Sequence, residues 1–402
     1  MDSSKRAATG LCLAALLGTV GALPAHAEPD PVPPPTERIS VNTTGGQLAA
    51  PSYDPAMGED RVVAFTSEGG ADGLPGVSVK DRGGYSYVSS GANGPSYDGS
   101  PCPSGRMVGF VSESTDLASP PKPDHRPTVY IRNRPVWKIT GLTGYQGVRF
   151  TSMEQPHVDP SCQWITYTAT LPATEEDPAP QPRVYRFKFS GGTTDLVSEA
   201  SDEPAGKPSV SYNGEYVSYE QGGEIHVRNM TTGAREKVSV ARDGGEADGA
   251  STAPSISSDG RRVAFDSRAS DLASGDGNRD TNVFVRDLDA GTTTLVKAPK
   301  KNGYTAQASL SKTGTHVAYT SAKKRGKGSV PSVHLLELAT GKTQLISVDL
   351  DGGRNDLAAQ NPSVNEDGTV VAFASASADL VPGDTNGVSD VFLRTVPGEA
   401  QP

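Results

Sequence analysis

The chain has 402 residues, of which 21% are charged and 6% aromatic, and its formal net charge is −10. Phosphate backbones repel so acidic a protein, and the composition therefore argues against a nucleic-acid partner. The 45 glycines mark turns, because neither a P-loop nor a dinucleotide-binding fingerprint occurs among them.

The first 27 residues have the features of a secretory signal peptide. Lys5 and Arg6 supply the positive start, the run from Leu11 to Leu23 is mostly apolar, and Ala25-His26-Ala27 is a cleavage site of the A-x-A type. The apolar run is too short for a transmembrane helix. The sequence therefore predicts a protein secreted to the periplasm or the cell exterior, with cleavage near Ala27 and a mature net charge of −11.

A proline-rich segment, residues 28–37, follows the predicted signal peptide. Its run Pro31-Val32-Pro33-Pro34-Pro35 favours a stiff, extended spacer with no core of its own. Residues 38–397 are predicted to form a single domain. Whether the spacer tethers that domain to a surface is left open.

One three-residue phrase recurs seven times along the predicted domain. The copies are spaced about 45 to 57 residues apart, which is the period of a repeat built from one four-stranded unit. They are Val63-Ala64-Phe65, Val108-Gly109-Phe110, Ile165-Thr166-Tyr167, Val217-Ser218-Tyr219, Val263-Ala264-Phe265, Val317-Ala318-Tyr319 and Val371-Ala372-Phe373.

Each unit has further strand and turn patterns around this phrase. An upstream dipeptide, such as Pro51-Ser52, Pro95-Ser96 or Pro254-Ser255, is expected to begin the first strand, because proline is tolerated at a strand's first residue. Turns such as Asp259-Gly260 then lead into the phrase. A third strand with alternating apolar residues and a fourth strand such as Leu345-Ile346-Ser347-Val348 complete the unit.

Four strands in each of seven units predict an all-β fold, a β-propeller that is most consistent with seven blades, although six or eight remain open. The seventh unit ends after its third strand. The segment Glu37-Arg38-Ile39-Ser40-Val41, ahead of the first unit, has the pattern of a fourth strand. We therefore expect it to complete the last blade and close the ring.

Two segments, 254–267 and 379–392, resemble the WD-repeat-like β-propeller repeats of TolB-like proteins. The first contains Pro254-Ser255 and Val263-Ala264-Phe265, and the second contains Asp390-Val391-Phe392. The resemblance extends over nearly the whole mature chain and is weaker in unit three, where Ser161-Cys162 replaces the Asp-Gly turn. It covers only the propeller part of TolB, which also has an α/β domain. It implies a propeller with a binding role.

Cys102 and Cys162 are the cysteines that remain after signal cleavage. They lie in or beside the first turns of consecutive units, so neighbouring blades would present them on one face. An even pair in an exported chain predicts a disulfide.

The sequence contains no concentrated set of catalytic, cofactor-binding or metal-binding residues. It lacks HExxH and Gly-x-Ser-x-Gly. Calcium is an open alternative for two acidic segments, in which oxygen ligands recur at short spacings. These segments contain Asp276, Asn278 and Asp280 in unit five and Asp384, Asn386 and Asp390 in unit seven.

Long connections between second and third strands would share one face of the propeller, where binding usually resides. That face is predicted to contact a partner through Asp116, Asp271, Lys323, Lys324, Arg325 and Asp379. The leading hypothesis is an exported, non-catalytic module that binds an unknown protein or polysaccharide at the cell envelope or outside the cell. The alternatives are a propeller-fold carbohydrate lyase or hydrolase and a structural module that binds copies of itself.

Overall fold

The recurring phrase forms the second strand of seven four-stranded antiparallel sheets, and these sheets are arranged in a ring. The computed structural model describes residues 36–70, 73–301, 303–323 and 330–396. The predicted seven-bladed β-propeller is confirmed. The predicted signal peptide and almost all of the spacer lie outside the described residues.

The strands are numbered in chain order. The strand that precedes the first blade is β1, Thr36–Arg38. Blades 1 to 4 contain β2 Ser52–Met57, β3 Val63–Ser67, β4 Gly76–Asp81 and β5 Gly84–Tyr87; β6 Ser96–Pro101, β7 Met107–Ser112, β8 Thr128–Asn133 and β9 Lys138–Gly141; β12 Ser152–Val158, β13 Trp164–Thr170, β14 Arg183–Lys188 and β15 Thr194–Leu196; and β16 Ala205–Val210, β17 Tyr216–Gln221, β18 Glu224–Asn229 and β19 Arg235–Lys237.

Blades 5 to 7 continue the same order. They contain β20 Ser251–Ile256, β21 Arg262–Ser267, β22 Asn282–Asp287 and β23 Thr292–Val296; β24 Gly303–Leu310, β25 His316–Lys323, β26 Ser332–Glu337 and β27 Thr343–Leu345; and β28 Ala359–Val364, β29 Val370–Ser375 and β30 Asp390–Thr395, with β1 as the fourth strand. A small hairpin, β10 Gly144–Tyr145 and β11 Val148–Arg149, lies between blades 2 and 3, and Tyr212–Gly214 forms a 3₁₀ turn.

The first blade and the last are joined by β1. It pairs antiparallel with β30, and Thr36 faces Arg394 while Arg38 faces Phe392. The predicted closing strand is therefore confirmed. The paired residues begin at Thr36, two positions before the predicted domain boundary, whereas Ile39 to Val41 continue into the connection with blade 1.

The expectation that proline marks the start of each first strand is wrong for several blades. In β20 the register shifts between Thr252 and Ser255, and Pro254 lies inside this bulge. A bulge leaves a residue outside the ladder, so the missing N–H of proline costs no strand pairing there. Equivalent prolines lie inside first strands at Pro156, Pro208 and Pro362, whereas Pro51 and Pro95 directly precede theirs.

The hydrophobic core lies between the faces of adjacent blades. One cluster joins Ala264 and Val283 of blade 5 to Val317 and Tyr319 of blade 6. The aromatic residue that ends each recurring phrase is fully buried in all seven copies. The phrase therefore recurs because every blade needs a large side chain at the same depth to fill the space beside its neighbour.

Serine side chains connect the blades near the channel. The Ser255 hydroxyl of blade 5 accepts the backbone N–H of Leu310 in blade 6 at 3.0 Å, and the Ser309 hydroxyl of blade 6 accepts that of Val364 at 3.2 Å. Ser100, Ser209 and Ser363 make the same bond at three other junctions. These bonds satisfy N–H groups on the channel side of the first strands, which are edge strands and have no neighbouring strand there.

The predicted disulfide is present. Cys102 follows β6 and Cys162 lies in the turn after β12, and their Cα atoms are 5.2 Å apart. The bond therefore links the first turns of blades 2 and 3, as the spacing in the sequence suggested. Within the ranges that the structure describes, no helix is long and apolar enough to cross a membrane.

Candidate functional site: the central channel and the long-loop face

The two faces of the propeller differ in the length of their connections. All seven turns between first and second strands contain five residues, for example 257–261. Most connections between second and third strands are longer; they span residues 113–127 in blade 2, 171–182 in blade 3, 268–281 in blade 5 and 376–389 in blade 7. These loops and the connections between blades define the long-loop face. The opposite side is called the short-turn face.

The predicted partner-binding aspartates lie in equivalent loops of blades 2, 5 and 7. Asp116 is exposed, whereas Asp271 and Asp379 are half-buried. The Asp271 carboxylate accepts the backbone N–H of Asp248, and the Asp379 carboxylate accepts that of Asp356 at 3.1 Å. Two of the three carboxylates thus hold the preceding inter-blade connection in place.

The basic part of the prediction falls on blade 6. Lys323 is exposed and ends β25, whereas Lys324 and Arg325 lie outside the described residues. The structure does not bring Asp116, Asp271 and Lys323 into one cluster, because each belongs to a different blade. Their role in partner binding stays a prediction.

The guanidinium group of Arg38 lies beside the acidic segment of blade 7. Asp390 is fully buried, and its carboxylate accepts hydrogen bonds from Ser40 at 2.5 Å and from the Asn386 amide at 2.9 Å. The Arg38 guanidinium lies 3.4 Å from Asp384 and 3.9 Å from Asp390. Arg38 of the closing strand thus neutralises oxygens that the sequence suggested as calcium ligands.

The corresponding segment of blade 5 is organised by amide groups. The Asp276 carboxylate accepts the backbone N–H of Asn278 at 3.2 Å and the Asn282 side-chain amide at 3.1 Å. Asp280 lies half-buried beside them. No group of three or more His, Cys, Asp or Glu side chains within the described ranges could hold a metal ion.

A cavity of about 360 Å³ lies in the central channel between the first strands. Asp54, Asp98 and Asn361 border it at one level, and Lys312 and Glu366 border it nearer the short-turn face. Asp54, Asp98 and Asn361 come together because each lies at the same point of the bulge in its first strand, whereas Lys312 and Glu366 come from the turns that follow first strands.

The bulge places one residue of every blade in the left-handed region of backbone conformation. Their φ angles lie between 49° and 60°, and the residues are Asp54, Asp98, Gln155, Lys207, Ala253, Gln307 and Asn361. Left-handed non-glycine residues often mark functional sites. Here the conformation occurs in all seven blades, so it belongs to the architecture, and only the identity of the side chain distinguishes one blade from another.

Hydrogen bonds connect several members of this ring across blade boundaries. The Gln307 amide donates to the Asn361 carbonyl oxygen, and the Asn361 amide donates to Asp54, both at 2.6 Å. The backbone N–H of Gln155 donates to Asp98, and that of Lys207 donates to the Gln155 side chain at 2.8 Å. The ring is therefore a largely preorganised polar collar.

Asp54 and Asp98 are the acidic members of the collar. Burial, and then the nearby Asp54 carboxylate, raise the pKa of Asp98 to about 6, although the N–H of Gln155 acts in the opposite direction. Burial also raises the pKa of Asp54, and the Asn361 amide opposes this. The pair can therefore hold a proton under mildly acidic conditions, which is the property required of a general acid.

Nearer the short-turn face, burial lowers the pKa of Lys312 to about 8, while Asp159 and Glu366 act against the shift. Burial and then Lys312 lower the pKa of His157 well below its usual value. His157 occupies the position at which other blades carry the inter-blade serine, and its Nδ1 has no hydrogen-bond partner among the described residues.

Comparison with solved structures shows the same fold in proteins of different activities. An oligogalacturonate lyase from Vibrio parahaemolyticus is 13% identical, with a TM-score of 0.59 over 91% of this chain and 98% of its own. The β-propeller domain of the Trilobed protease from Pyrococcus furiosus is 8% identical, with a TM-score of 0.55 over 88% and 99%. The comparison confirms the β-propeller fold.

A putative TolB from Agrobacterium tumefaciens is 14% identical, with a TM-score of 0.45 over 78% of this chain and 94% of its own. No family model matches the sequence, and no curated protein is significantly similar to it. At identities this low, similarity shows a shared fold and not a shared activity.

The collar was not among the features predicted from the sequence. Its signal was available, because Asp54, Gln155, Lys207 and Asn361 each directly precede a proline of the bulge. In blades 1 and 2, Pro51-Ser52 and Pro95-Ser96 lie four residues before the positions that are equivalent to Pro254-Ser255 in blade 5. Aligning the units on these dipeptides therefore left Asp54 and Asp98 out of line with the other collar residues.

Proposed function

We propose that the chain is an exported, non-catalytic binding module whose long-loop face holds a protein or glycan partner. The observation that carries this proposal is the asymmetry between the faces. Seven uniform five-residue turns occupy the short-turn face, whereas the connections of the long-loop face range from the two residues 222–223 to the fifteen residues 113–127. Large variation in loop length that is concentrated on one face of a rigid scaffold is typical of a binding surface.

The scaffold supports such a surface because it is closed and cross-linked. Strand β1 fastens the ring, serine bonds connect adjacent blades, and the Cys102–Cys162 bond joins blades 2 and 3. A rigid framework lets loops bind a partner with little ordering cost. The collar is likewise already hydrogen-bonded internally, which favours a structural role for it over a catalytic one.

Export is part of the proposal. We assign residues 1–27 to a signal peptide, 28–37 to a spacer and 38–397 to the propeller. The disulfide is consistent with this, because such bonds persist in oxidising compartments. N-terminal sequencing of the protein recovered outside the cytoplasm should begin at Glu28, and an intact Met1 in that fraction would contradict the assignment.

The partner-binding proposal is tested by capture with a matched loop variant. Residues 173–179 of the blade 3 connection are exposed, so they can be replaced by Gly-Gly, the composition of the blade 4 connection, while Leu171, which packs against the core, is kept. Both proteins would be immobilised and exposed to envelope and secreted fractions of the native cell. A partner retained by the wild type and lost or weakened in the variant supports the proposal, whereas equal retention by both contradicts a role for this loop.

A carbohydrate-active enzyme is the second candidate, and the Asp54–Asp98 pair in the cavity of the central channel is the observation in its favour. Glycoside cleavage commonly requires two carboxyl groups of different pKa. Envelope and plant polysaccharides can be assayed for new reducing ends and for unsaturated products. Cleavage that Asp98→Asn abolishes without lowering the melting temperature would establish the enzyme and overturn the non-catalytic proposal.

A further inference from the structure

A second cavity, of about 200 Å³, lies on blade 6 outside the central channel. Lys300 comes from the connection after β23, Lys323 from the end of β25 and Arg354 from the connection after β27. His334 and Leu345 of the third and fourth strands complete it together with Pro299 and Ala322. We call this cavity the blade 6 pocket. It lies among the connections of the long-loop face.

Blade 4 shows what normally fills this position. Its fourth strand ends at Lys237, which pairs with His226 in the same register as Leu345 pairs with His334 in blade 6. The Lys237 ammonium forms ion pairs with Glu224, at 2.5 Å, and with Glu246. Blade 4 therefore places a cation from its fourth strand between two carboxylates.

Blade 7 repeats this arrangement with different residues. Arg38 ends its fourth strand, and the guanidinium contacts Asp390, the first residue of the third strand. Gln47 stands where blade 4 has Glu246, since Val41 bridges to Gln47 as Val240 bridges to Glu246. In both blades a cation from the fourth strand meets an acid at the start of the third.

Blade 6 reverses the charges. Leu345 replaces the cation of the fourth strand, Ser332 replaces the acid of the third, and Arg354 takes the position of Glu246, because Val348 bridges to Arg354. The space that holds a cation in blade 4 is thus bordered by cations in blade 6. Its chemical complement is an anion.

Hydrogen bonds fix the position of the Arg354 side chain at the edge of the pocket. Its guanidinium donates to the Ser332 hydroxyl at 2.8 and 3.1 Å and to the Val330 carbonyl oxygen at 3.3 Å. The neighbouring Asp349 forms no ion pair with Arg354 in the part of the chain that the structure describes, and its carboxylate accepts the backbone N–H groups of Asp351 and Gly353. Among the described residues, no ion pair includes Arg354 or Lys300.

The cations of the pocket repel one another. Arg354 is the main cause of the lowered pKa of Lys300, followed by burial and Lys323. Burial lowers the pKa of His334 to about 4, its bond to the Ser332 carbonyl opposes this, and Arg354 and Lys300 add to the shift. In a protein of net charge −10, the positive charge of Arg354 and Lys300, which form no ion pair among the described residues, marks a site that an anion would stabilise.

We propose that the blade 6 pocket binds an oxyanion group of a ligand, a carboxylate, sulfate or phosphate, between the Arg354 guanidinium and the Lys300 ammonium group. The planar guanidinium donates two parallel hydrogen bonds to such a group. Leu345, Pro299 and Ala322 provide an apolar wall for the carbon skeleton that carries it. This deepens the proposed function, since it names the chemistry that part of the long-loop face recognises.

Isothermal titration calorimetry of the purified chain tests this directly. The probes are sodium sulfate, inorganic phosphate, a hexuronic-acid trisaccharide and the neutral maltotriose, at an ionic strength fixed with sodium chloride. We expect saturable binding of oxyanions, weakened about tenfold or more by Arg354→Gln and by Lys300→Gln, because hydrogen bonds to charged groups contribute strongly. Arg268→Gln, an exposed charge change on blade 5 of the same face, should leave the affinity unchanged.

The relative affinities identify the source of the anion. Tighter binding of the trisaccharide than of sulfate or phosphate assigns the site to an acidic saccharide, and the reverse order assigns it to a small free anion. No binding beyond that of chloride, equal binding of maltotriose, or oxyanion binding that Lys300→Gln leaves intact would overturn the proposal. Lys300 is exposed, so its variant should fold even if Arg354→Gln does not.

These outcomes are separate from those of the proposed function. Partner capture that depends on the blade 3 loop can succeed when the blade 6 pocket binds nothing, and the pocket can bind oxyanions when no partner is captured. A second variant, Ser332→Glu with Leu345→Lys and Arg354→Glu, rebuilds the blade 4 arrangement. It should remain folded and lose oxyanion binding; retained binding by this variant would contradict the assignment.

Discussion

Replacing Arg38 by methionine should loosen the closure of the ring. Arg38 ends β1 and lies 3.4 Å from Asp384 and 3.9 Å from Asp390, whose side chains are 4% and 0% exposed. Methionine retains much of the apolar stem and removes the charge. The two carboxylates would then remain buried without a cation.

The expected loss is large because a buried charge is left uncompensated. Removing one partner of such a pair costs about 3–5 kcal/mol. Unfolding entropies of about 2.1 cal/mol/K per residue convert this, for a domain of this length, into a fall in melting temperature of about 4–7 °C. Circular dichroism at 215 nm during heating measures it.

Arg61→Met is the matched control. Arg61 pairs with Glu37 of the same closing strand, but these side chains are 34% and 41% exposed. Exposed pairs contribute less than about 1 kcal/mol. Adding Asp390→Asn to Arg38→Met should recover part of the lost stability. A melting temperature of Arg38→Met within about 1 °C of the wild type, or an equal loss of stability in Arg61→Met, would contradict a buried, uncompensated charge.

Three further predictions concern stability. Replacing Cys102 and Cys162 by serine opens a loop with a sequence separation of 60 and should cost about 4 kcal/mol in the chain-entropy model; calorimetry that finds no change would contradict this. Gly368 and Gly352 have φ angles of +84° and +82°, but only at Gly368 would a Cβ lie 2.4 Å from a neighbouring ring. Gly368→Ala should therefore lower the free energy of unfolding by at least about 1 kcal/mol more than Gly352→Ala, and equal losses in urea unfolding would refute the clash. Because the pKa of Asp98 is raised to about 6 in the folded state, the wild type loses stability as pH rises from about 4 to 6. Asp98→Asn should therefore raise the melting temperature more at pH 7.5 than at pH 4, and a gain independent of pH would contradict the raised pKa.

The sequence predicted the blades because the same packing problem recurs in each. Phe65, Phe265 and Phe373 fill equivalent spaces between sheets. Because each of these spaces requires a large side chain, large apolar residues recur at a regular spacing along the sequence. The cysteine pair was predictable for a related reason. Its members occupy the same turn in consecutive units, and the period itself brings such positions together.

The functional candidates were less predictable because they depend on differences between blades. The collar required the bulge to be recognised, and the assumption that proline begins a strand placed it elsewhere. The blade 6 pocket joins Lys300 to Arg354 across two connections, so no short motif contains it. The strand registers show that Leu345 occupies in blade 6 the position that Lys237 occupies in blade 4, so the fourth strand of blade 6 has no cation at this position.

Site-specific photo-crosslinking tests the central claim, that the long-loop face binds the partner. A photoreactive amino acid would be placed at Ala378, exposed in the long loop of blade 7, and separately at Thr231, exposed in a turn of the short-turn face. Irradiation in the native cell should give a discrete adduct from position 378 and none from position 231. An adduct from position 231 alone, or the same adduct from both, would contradict the account.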